Sequence, residues 1–81
     1  MLNVLVTSPE KVLYEGTAGR VVAPGEQGTF EVLPLHRPLV SRLLAGPLVV
    51  DNTTYPIERG VLSIADDNLT VVVELTKGRK G

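Results

Sequence analysis

The sequence predicts an all-β protein, built as a single β-sandwich or flattened barrel of about 8–10 short, mostly antiparallel strands. Three observations predict this class. Apolar residues recur at every second position in several short segments. Glycine, proline, asparagine or aspartate interrupts these segments roughly every eight to ten residues. Leucine and valine dominate a composition that is 43% hydrophobic, enough apolar material for a small core.

Turn signals separate the predicted strands in the first part of the chain. The first strand has an alternating apolar face and ends before Ser8 and Pro9. Alternation resumes in the second strand, after which Gly16 and Gly19 bracket a predicted turn into the third. The fourth strand follows a glycine-containing loop. These four strands are predicted at Leu2, Val4 and Val6 with their neighbours, then Lys11–Glu15, Arg20–Ala23 and Thr29–Leu33.

Two further turns organise the C-terminal part of the chain. Asp51 and Asn52 form a predicted hairpin turn. Asp66–Asn68 contains residue types that tolerate the left-handed backbone region and hydrogen-bond back to the chain, so it is a turn rather than a calcium site. The strands around these turns are predicted at Leu48–Val50, Thr54–Arg59, Val61–Ala65 and Leu69–Leu75.

The segment Leu39–Ala45 is ambiguous. Leu39, Leu43 and Leu44 have a spacing that is compatible with a helix, and periodicity alone does not settle so short a run. An isolated helix of two turns has little cooperative support. We therefore predict a strand here.

The segment Pro24–Leu39 combines two glycines, three prolines and the single histidine of the chain. Its glycines stand three residues apart and predict a turn that needs a positive φ. Prolines on both sides of His36 remove ladder hydrogen bonds, so Leu35–Arg37 is predicted to be a rigid surface loop. Loops of this kind often carry binding function.

Length and composition limit the classes of function. The 81 residues make one domain, predicted as a sandwich over residues 1–76 with a basic, disordered tail at residues 77–81. There is no cysteine for a disulfide or a thiolate metal site. No apolar run approaches the roughly 20 residues that span a bilayer, and the N-terminus lacks the features of a signal peptide. We expect a chain that is soluble in isolation and has no transmembrane segment.

The charge distribution argues against nucleic acid as a partner. Residues 1–76 carry five basic and nine acidic groups, whereas the last five residues carry three basic groups. An acidic body with one phenylalanine, two tyrosines and no tryptophan lacks the basic groove and aromatic platforms of single-strand binders.

Nothing in the sequence points to catalysis, a cofactor or a metal. His36 is the only imidazole, and no serine has the surroundings of a nucleophile elbow. The two glycines at positions 25 and 28 lack the Gly-Lys-Ser/Thr ending of a phosphate loop. Carboxylates and the histidine do not cluster at ligand spacing. We expect a non-catalytic protein.

Several motifs, in order and at matching spacing, resemble one known family. They lie at Thr7–Gly16, Val21–Gly25, Gly28–Leu39, Arg59–Ile64 and Leu69–Val73. The most specific is the run of glycine, then Leu-Pro-x-His-x-Pro-Leu, within the third segment. On these residues the chain resembles the N-terminal β-sandwich domain of the ε subunit of bacterial and chloroplast F-type ATP synthases, the subunit called δ in mitochondria.

The resemblance implies a central-stalk subunit that links the γ subunit to the membrane c-ring and couples proton translocation to ATP synthesis. It implies γ and the c-ring as partners, no cofactor, and a peripheral location on the cytoplasmic face of the bacterial inner membrane. The family's ring contacts lie in the glycine loop and around the histidine. The implied interface residues here are Glu26, Gly28, Thr29, Glu31, Leu33, His36 and Arg37. The alternative is a free-standing all-β adaptor that uses the loop at residues 24–39 on another protein.

The chain departs from the family pattern in three ways. Glu31 and Leu35 stand where many members have glycine. Because glycine permits unusual φ angles or a close approach, we expect a reshaped loop or an altered contact there. Most members also continue into a two-helix C-terminal hairpin, which these 81 residues do not encode. The sequence is therefore expected to be either a naturally short member or part of a longer chain. Inhibition of ATP hydrolysis and nucleotide sensing, which belong to the hairpin, are not expected of it.

Overall fold

The computed structural model describes residues 1–76, which form eight β-strands and no helix. The prediction of an all-β fold is confirmed. The predicted tail at residues 77–81 lies outside the described residues. No helix in this range is long and apolar enough to cross a membrane. The strands are β1 Leu2–Thr7, β2 Val12–Ala18, β3 Val21–Gly25, β4 Gly28–Val32, β5 Leu39–Leu43, β6 Gly46–Val50, β7 Thr53–Ala65 and β8 Asn68–Leu75.

The strands are connected by hydrogen bonds in the order β2-β1-β8-β7-β5-β3-β4, and β6 pairs with both β3 and β7. Among the described residues, β1 and β8 pair in parallel and the other pairs are antiparallel. The ambiguous segment is a strand, as predicted: β5 pairs with β7 from Leu39, opposite Ile64, to Leu43, opposite Gly60. Cross-strand pairing therefore overrides the helix-compatible spacing of its leucines.

The two strands predicted on either side of Gly60 are one, because β7 runs unbroken for 13 residues. Its first part, Thr53–Ile57, pairs with β6. Pairing with β8 begins at Ile57, and pairing with β5 begins at Gly60. A register shift against β8 lies between Ile57 and Arg59. A β-carbon at Gly60 would lie 2.6 Å from the Val72 carbonyl oxygen. Gly60 thus marks a close approach of two strands and not the end of one.

The predicted turn at Gly16 is also wrong. Strand β2 continues to Ala18, which pairs with Leu2 of β1, so the strand ends three residues later than the local alternation indicated. The turn lies instead at Gly19 and Arg20. The pairing strand β1, which is distant from the predicted turn in sequence, decides where β2 ends.

The hairpin turn predicted at Asp51–Asn52 is present, and the turn predicted at Asp66–Asn68 is present at Asp66 and Asp67, with Asn68 already the first residue of β8. Asp51, Asp66 and Asp67 have φ values of 51°, 52° and 61°. Short carboxylate side chains tolerate this left-handed region better than other non-glycine residues. The Asp51 Oδ1 also accepts hydrogen bonds from the backbone N–H groups of Gly19 and Arg20, at 2.9 and 3.2 Å. This aspartate therefore joins two turns that are far apart in sequence.

The core consists of apolar side chains from every strand, and it contains leucine, valine, isoleucine and alanine. In β1 and β8 every second residue is buried, which is the alternation predicted from the sequence. Burying a leucine or valine side chain contributes about 1.5–3 kcal/mol relative to leaving it in water. The buried set is Leu2, Val4, Val6, Ala18, Val21, Ala23, Val32, Leu43, Leu48, Val50, Ile57, Leu62, Ile64, Leu69, Val71 and Val73.

Candidate interaction surface

An open groove of about 580 Å³ lies along β4 and β5 and extends to the loop between them. We call it the β4–β5 groove. Its wall contains backbone, two carboxylates, two guanidinium groups and one imidazole, together with the apolar residues Phe30, Leu39 and Val40. The lining residues are Gly25–Glu31, His36, Arg37 and Leu39–Arg42.

Six of the seven interface residues expected from the sequence line this groove. They come from two separate segments, the turn and strand after β3 and the loop before β5. The fold therefore brings the two segments onto one surface. The seventh, Leu33, is not part of the groove wall, although its side chain is 48% exposed in the adjacent turn. The six are Glu26, Gly28, Thr29, Glu31, His36 and Arg37.

The glycine loop is a tight hairpin between β3 and β4, in which Gly25 pairs with Gly28. Gly28 has a φ of 116°, so the predicted need for a positive φ is met at this residue. Gly25 has a different role, because a β-carbon there would lie 2.7 Å from the Phe30 ring. The aromatic ring thus packs directly on the backbone of the opposing strand. Both glycines are required by the shape of the hairpin.

The residues Leu33–His36 form a β-turn that carries the histidine. The His36 N–H donates to the Leu33 carbonyl oxygen at 3.2 Å. Pro34 occupies the second position and Leu35, with a φ of 70°, the third, which is the pattern of a type II turn. The His36 Nδ1 lies 2.7 Å from the Arg37 carbonyl oxygen. A carbonyl oxygen only accepts, so Nδ1 carries the proton and the ring orientation is defined.

Leu35 keeps the backbone angle that a type II turn demands at its third position. Glycine or asparagine is usual there, because other side chains collide with the backbone at positive φ. The Leu35 N–H donates to Asp67 Oδ1 at 2.7 Å, from the turn between β7 and β8. The backbone at Leu35 therefore has the conformation for which glycine is suited. The leucine side chain strains this backbone and is exposed to solvent.

Two exposed ion pairs connect the acidic residues of the groove to neighbouring arginines. Arg20 Nε lies 2.8 Å from Glu31 Oε2, and Arg42 Nη1 lies 3.7 Å from Glu26 Oε2. Pairs this exposed contribute about 0–1 kcal/mol to stability. They do neutralise Glu31 and Glu26 in part. The surface is therefore less acidic than the two glutamates alone indicated.

Two contacts at this surface had no signal in the local sequence. Asp67 supports Leu35 across 32 residues of sequence, and Arg20 reaches Glu31 from a neighbouring strand end. Neither pair has a spacing that marks it as an interaction. The nearest signal is that Asp67 lies in a predicted turn, where a short carboxylate can accept a backbone N–H, but this does not identify Leu35 as the donor.

The hydroxyl groups of Ser8 and Ser41 make local hydrogen bonds to the backbone. The Ser8 Oγ accepts from the backbone N–H of Lys11 at 3.2 Å and donates to the Lys11 carbonyl oxygen at 3.1 Å, which closes its own turn. The Ser41 Oγ donates to the Arg42 carbonyl oxygen at 3.2 Å. Within residues 1–76 no three histidine or carboxylate side chains converge as metal ligands would.

Comparisons with known families agree with the fold. Residues 1–77 match the family described as ATP synthase, Delta/Epsilon chain, beta-sandwich domain. The chain is 36% identical over 77 residues to the ATP synthase epsilon chain of Leptospira borgpetersenii, covering 90% of this chain and 61% of that one. It is 39% identical to the ATP synthase epsilon chain of Acidithiobacillus ferridurans, covering 90% and 55%. The chain thus spans less than two thirds of the length of these relatives.

Two solved structures share the fold at lower identity. One is from the mitochondrial ATP synthase of Tetrahymena thermophila, in a structure of its central stalk and c-ring, with a TM-score of 0.77 and 18% identity over 90% of this chain and 63% of that one. The other is from the mitochondrial ATP synthase of Euglena gracilis, also with a TM-score of 0.77 and 18% identity, over 94% and 51%. At this identity the likeness concerns the fold.

Proposed function

Because this chain belongs to the family of the β-sandwich domain of ATP synthase delta and epsilon chains, we propose that it acts as a non-catalytic subunit of the central stalk of F-type ATP synthase. In this proposal it links the γ subunit to the membrane c-ring. Rotation of the ring is thereby coupled to the stalk and to ATP synthesis. The observation that carries the proposal is the match over residues 1–77, with curated relatives named ATP synthase epsilon chain.

The groove supports a mechanical role in this proposal. A subunit that transmits torque has to keep its shape at the contact, and both parts of the groove are tightly braced. The glycine hairpin is held by Phe30 packed on Gly25, and the histidine turn is held by its own hydrogen bond and by Asp67. Preorganised surfaces lose little conformational entropy when they bind. We assign the ring contact to this groove and its adjoining turn.

The proposal places the chain at the cytoplasmic face of the bacterial inner membrane, held there through the complex. Its own contribution is structural, and ATP chemistry belongs to other subunits. The mixed charges of the groove favour a protein partner with polar loops, since exposed charges mainly set orientation and association rate.

Co-purification tests the proposal directly. The full chain, carrying an affinity tag, is produced together with the γ and c subunits from the same genome and isolated in mild detergent. We expect γ to be retained on the chain, and the c-ring to be retained through that pair. A double variant of the groove, Glu26→Arg with Arg37→Glu, should keep γ and reduce the retained c-ring.

Failure to retain γ under conditions in which γ is folded would contradict the stalk assignment. Retention of an unrelated protein through residues 24–39, without γ, would favour the adaptor function instead.

A further inference from the structure

Leu35 combines two properties that do not help the fold. Its φ of 70° lies in the left-handed region, which is unfavourable for a leucine because the β-carbon approaches the neighbouring carbonyl oxygen. Its side chain is also 90% exposed, the largest value among the large apolar side chains of the described residues. Burial in the core therefore does not offset the backbone strain. Strain of this kind at an exposed site is a reason to look for function.

The surrounding structure holds Leu35 firmly in this conformation. Pro34, which precedes Leu35, has its own φ fixed by the proline ring. The His36 N–H closes the turn by donating to the Leu33 carbonyl oxygen. The Asp67 carboxylate accepts the Leu35 N–H at 2.7 Å from a separate hairpin. The leucine side chain thus extends from a turn that is fixed at three points.

The neighbouring residues extend the apolar character of this turn. Leu33, two positions earlier, is 48% exposed, and Pro34 lies between the two leucines. We call Leu33, Pro34 and Leu35 the leucine turn. It lies beside the β4–β5 groove, since His36 and Arg37, which follow it directly, line that groove. A rigid apolar projection beside a polar groove is the arrangement of an interface anchor with a polar surround.

We propose that Leu35 is an anchor residue for the c-ring, inserting its side chain into an apolar recess on the ring surface while the groove makes the polar contacts. The inference rests on the proposed function, because the leucine turn is continuous with the surface assigned there to the ring. Burial in such a recess would remove the leucine from water at little entropic cost, since the turn is already ordered. Asn or Gly would satisfy the backbone and lack the anchor.

Substitutions at Leu35 separate the backbone from the side chain. Leu35→Asn and Leu35→Gly both suit a positive φ, so each should leave the melting temperature of the full chain unchanged or raise it. Leu35→Met keeps an apolar side chain of similar volume. Each chain is assembled with the γ subunit, and its affinity for detergent-solubilised c-ring is measured on an immobilised ring. We expect Asn and Gly to weaken binding by on the order of tenfold to a hundredfold, and Met by about threefold or less.

The measurements distinguish the inference from the proposed function. If the unsubstituted chain assembles with γ and binds the ring, and Leu35→Asn and Leu35→Gly bind equally well, the anchor role is overturned and the stalk function stands. Equal losses for Met, Asn and Gly would also overturn it, because an apolar recess should accept methionine. If the unsubstituted chain does not assemble with γ, the proposed function fails, and the anchor role fails with it.

Discussion

At the scale of single residues, carboxylates in turns hold distant loops together. Asp51 Oδ1 accepts the N–H groups of Gly19 and Arg20, and Asp67 Oδ1 accepts that of Leu35. Each aspartate also has a positive φ and lies in a hairpin turn, so one residue shapes its own turn and braces a second turn elsewhere in the chain. A charged acceptor makes a stronger hydrogen bond than a neutral one. The loops of this small sandwich are therefore fixed to one another.

The support of Leu35 by Asp67 can be measured with a matched pair of variants. Asp67→Gly keeps the positive φ and removes the acceptor, and we expect it to lower the free energy of unfolding by about 1–2 kcal/mol. Asp66→Gly is the control, since Asp66 has a similar φ and its side chain makes no hydrogen bond found within residues 1–76. Urea unfolding of both variants gives the difference. Equal stability of the two would show that the Asp67 carboxylate contributes nothing to the turn.

Glu31 offers a test of whether a groove charge serves binding or stability. Its ion pair with Arg20 is exposed, so Glu31→Arg should change the free energy of unfolding by no more than about 1 kcal/mol. In reconstituted synthase we expect this variant to reduce ATP-driven proton pumping relative to ATP hydrolysis. The matched control is the double variant Arg20→Glu with Glu31→Arg, which rebuilds the ion pair with its charges exchanged.

The charge exchange should restore stability and leave proton pumping impaired. Recovery of both would mean that the ion pair itself, and not a partner contact of Glu31, supports coupling. Unfolding of the single variant would instead make Glu31 a structural residue.

At the scale of elements, β7 joins three other strands by backbone hydrogen bonds. It pairs with β6 along its first part, with β8 from Ile57 and with β5 from Gly60. Gly60 lies where the pairing changes, and a β-carbon there would meet the Val72 carbonyl oxygen at 2.6 Å and the Val73 Cγ1 at 2.9 Å. The first of these atoms belongs to the backbone, which cannot move without disturbing the ladder. The missing side chain at Gly60 allows the strands to approach.

We therefore expect Gly60→Ala to destabilise the protein by about 1–3 kcal/mol, through overpacking between β7 and β8. Gly19→Ala is a suitable control, because a β-carbon at Gly19 would lie an ordinary 3.6 Å from Asp51 Oδ1. That variant should stay within about 0.5 kcal/mol of the unsubstituted protein. Thermal and urea unfolding provide the values. A neutral Gly60→Ala would mean that β8 can shift without loss.

At the scale of the whole molecule, one continuous core is shared by strands from all parts of the chain. Leu48 of β6 and Leu69 of β8 are both buried in it, and both strands pair with β7. Small domains with a single core generally unfold in one cooperative step. Loss of packing in either strand should therefore lower the free energy of unfolding of the whole protein.

Leu48→Ala and Leu69→Ala should each lower the free energy of unfolding by about 2–5 kcal/mol, because each leaves a cavity in the core. Both should keep a single unfolding transition, recorded by circular dichroism and by hydrogen exchange. Val40→Ala, at a position that is 72% exposed, is the control and should change stability by less than about 0.5 kcal/mol. Two separate transitions in either core variant would contradict a single cooperative unit.

The local sequence predicted most strands and the hairpin turns for a clear physical reason. Alternation of apolar residues depends on the two-residue period of a strand, and aspartate or asparagine turns depend on backbone conformation, so both can be recognised from neighbouring residues. The turns at Asp51 and Asp66–Asp67 and the core faces of β1 and β8 are examples. The family pattern also drew attention to residues that the fold collects in the β4–β5 groove.

By itself, then, the sequence determined the all-β class, the hairpin turns, the alternating core and the membership of a family. The tertiary structure decided that β2 continues to Ala18, that β7 passes Gly60 without a break, and that Asp67 holds Leu35 in place. These outcomes depend on strands and side chains that are distant in sequence and meet only in the folded chain. Local preferences are therefore overridden wherever a cross-strand partner supplies hydrogen bonds or limits space.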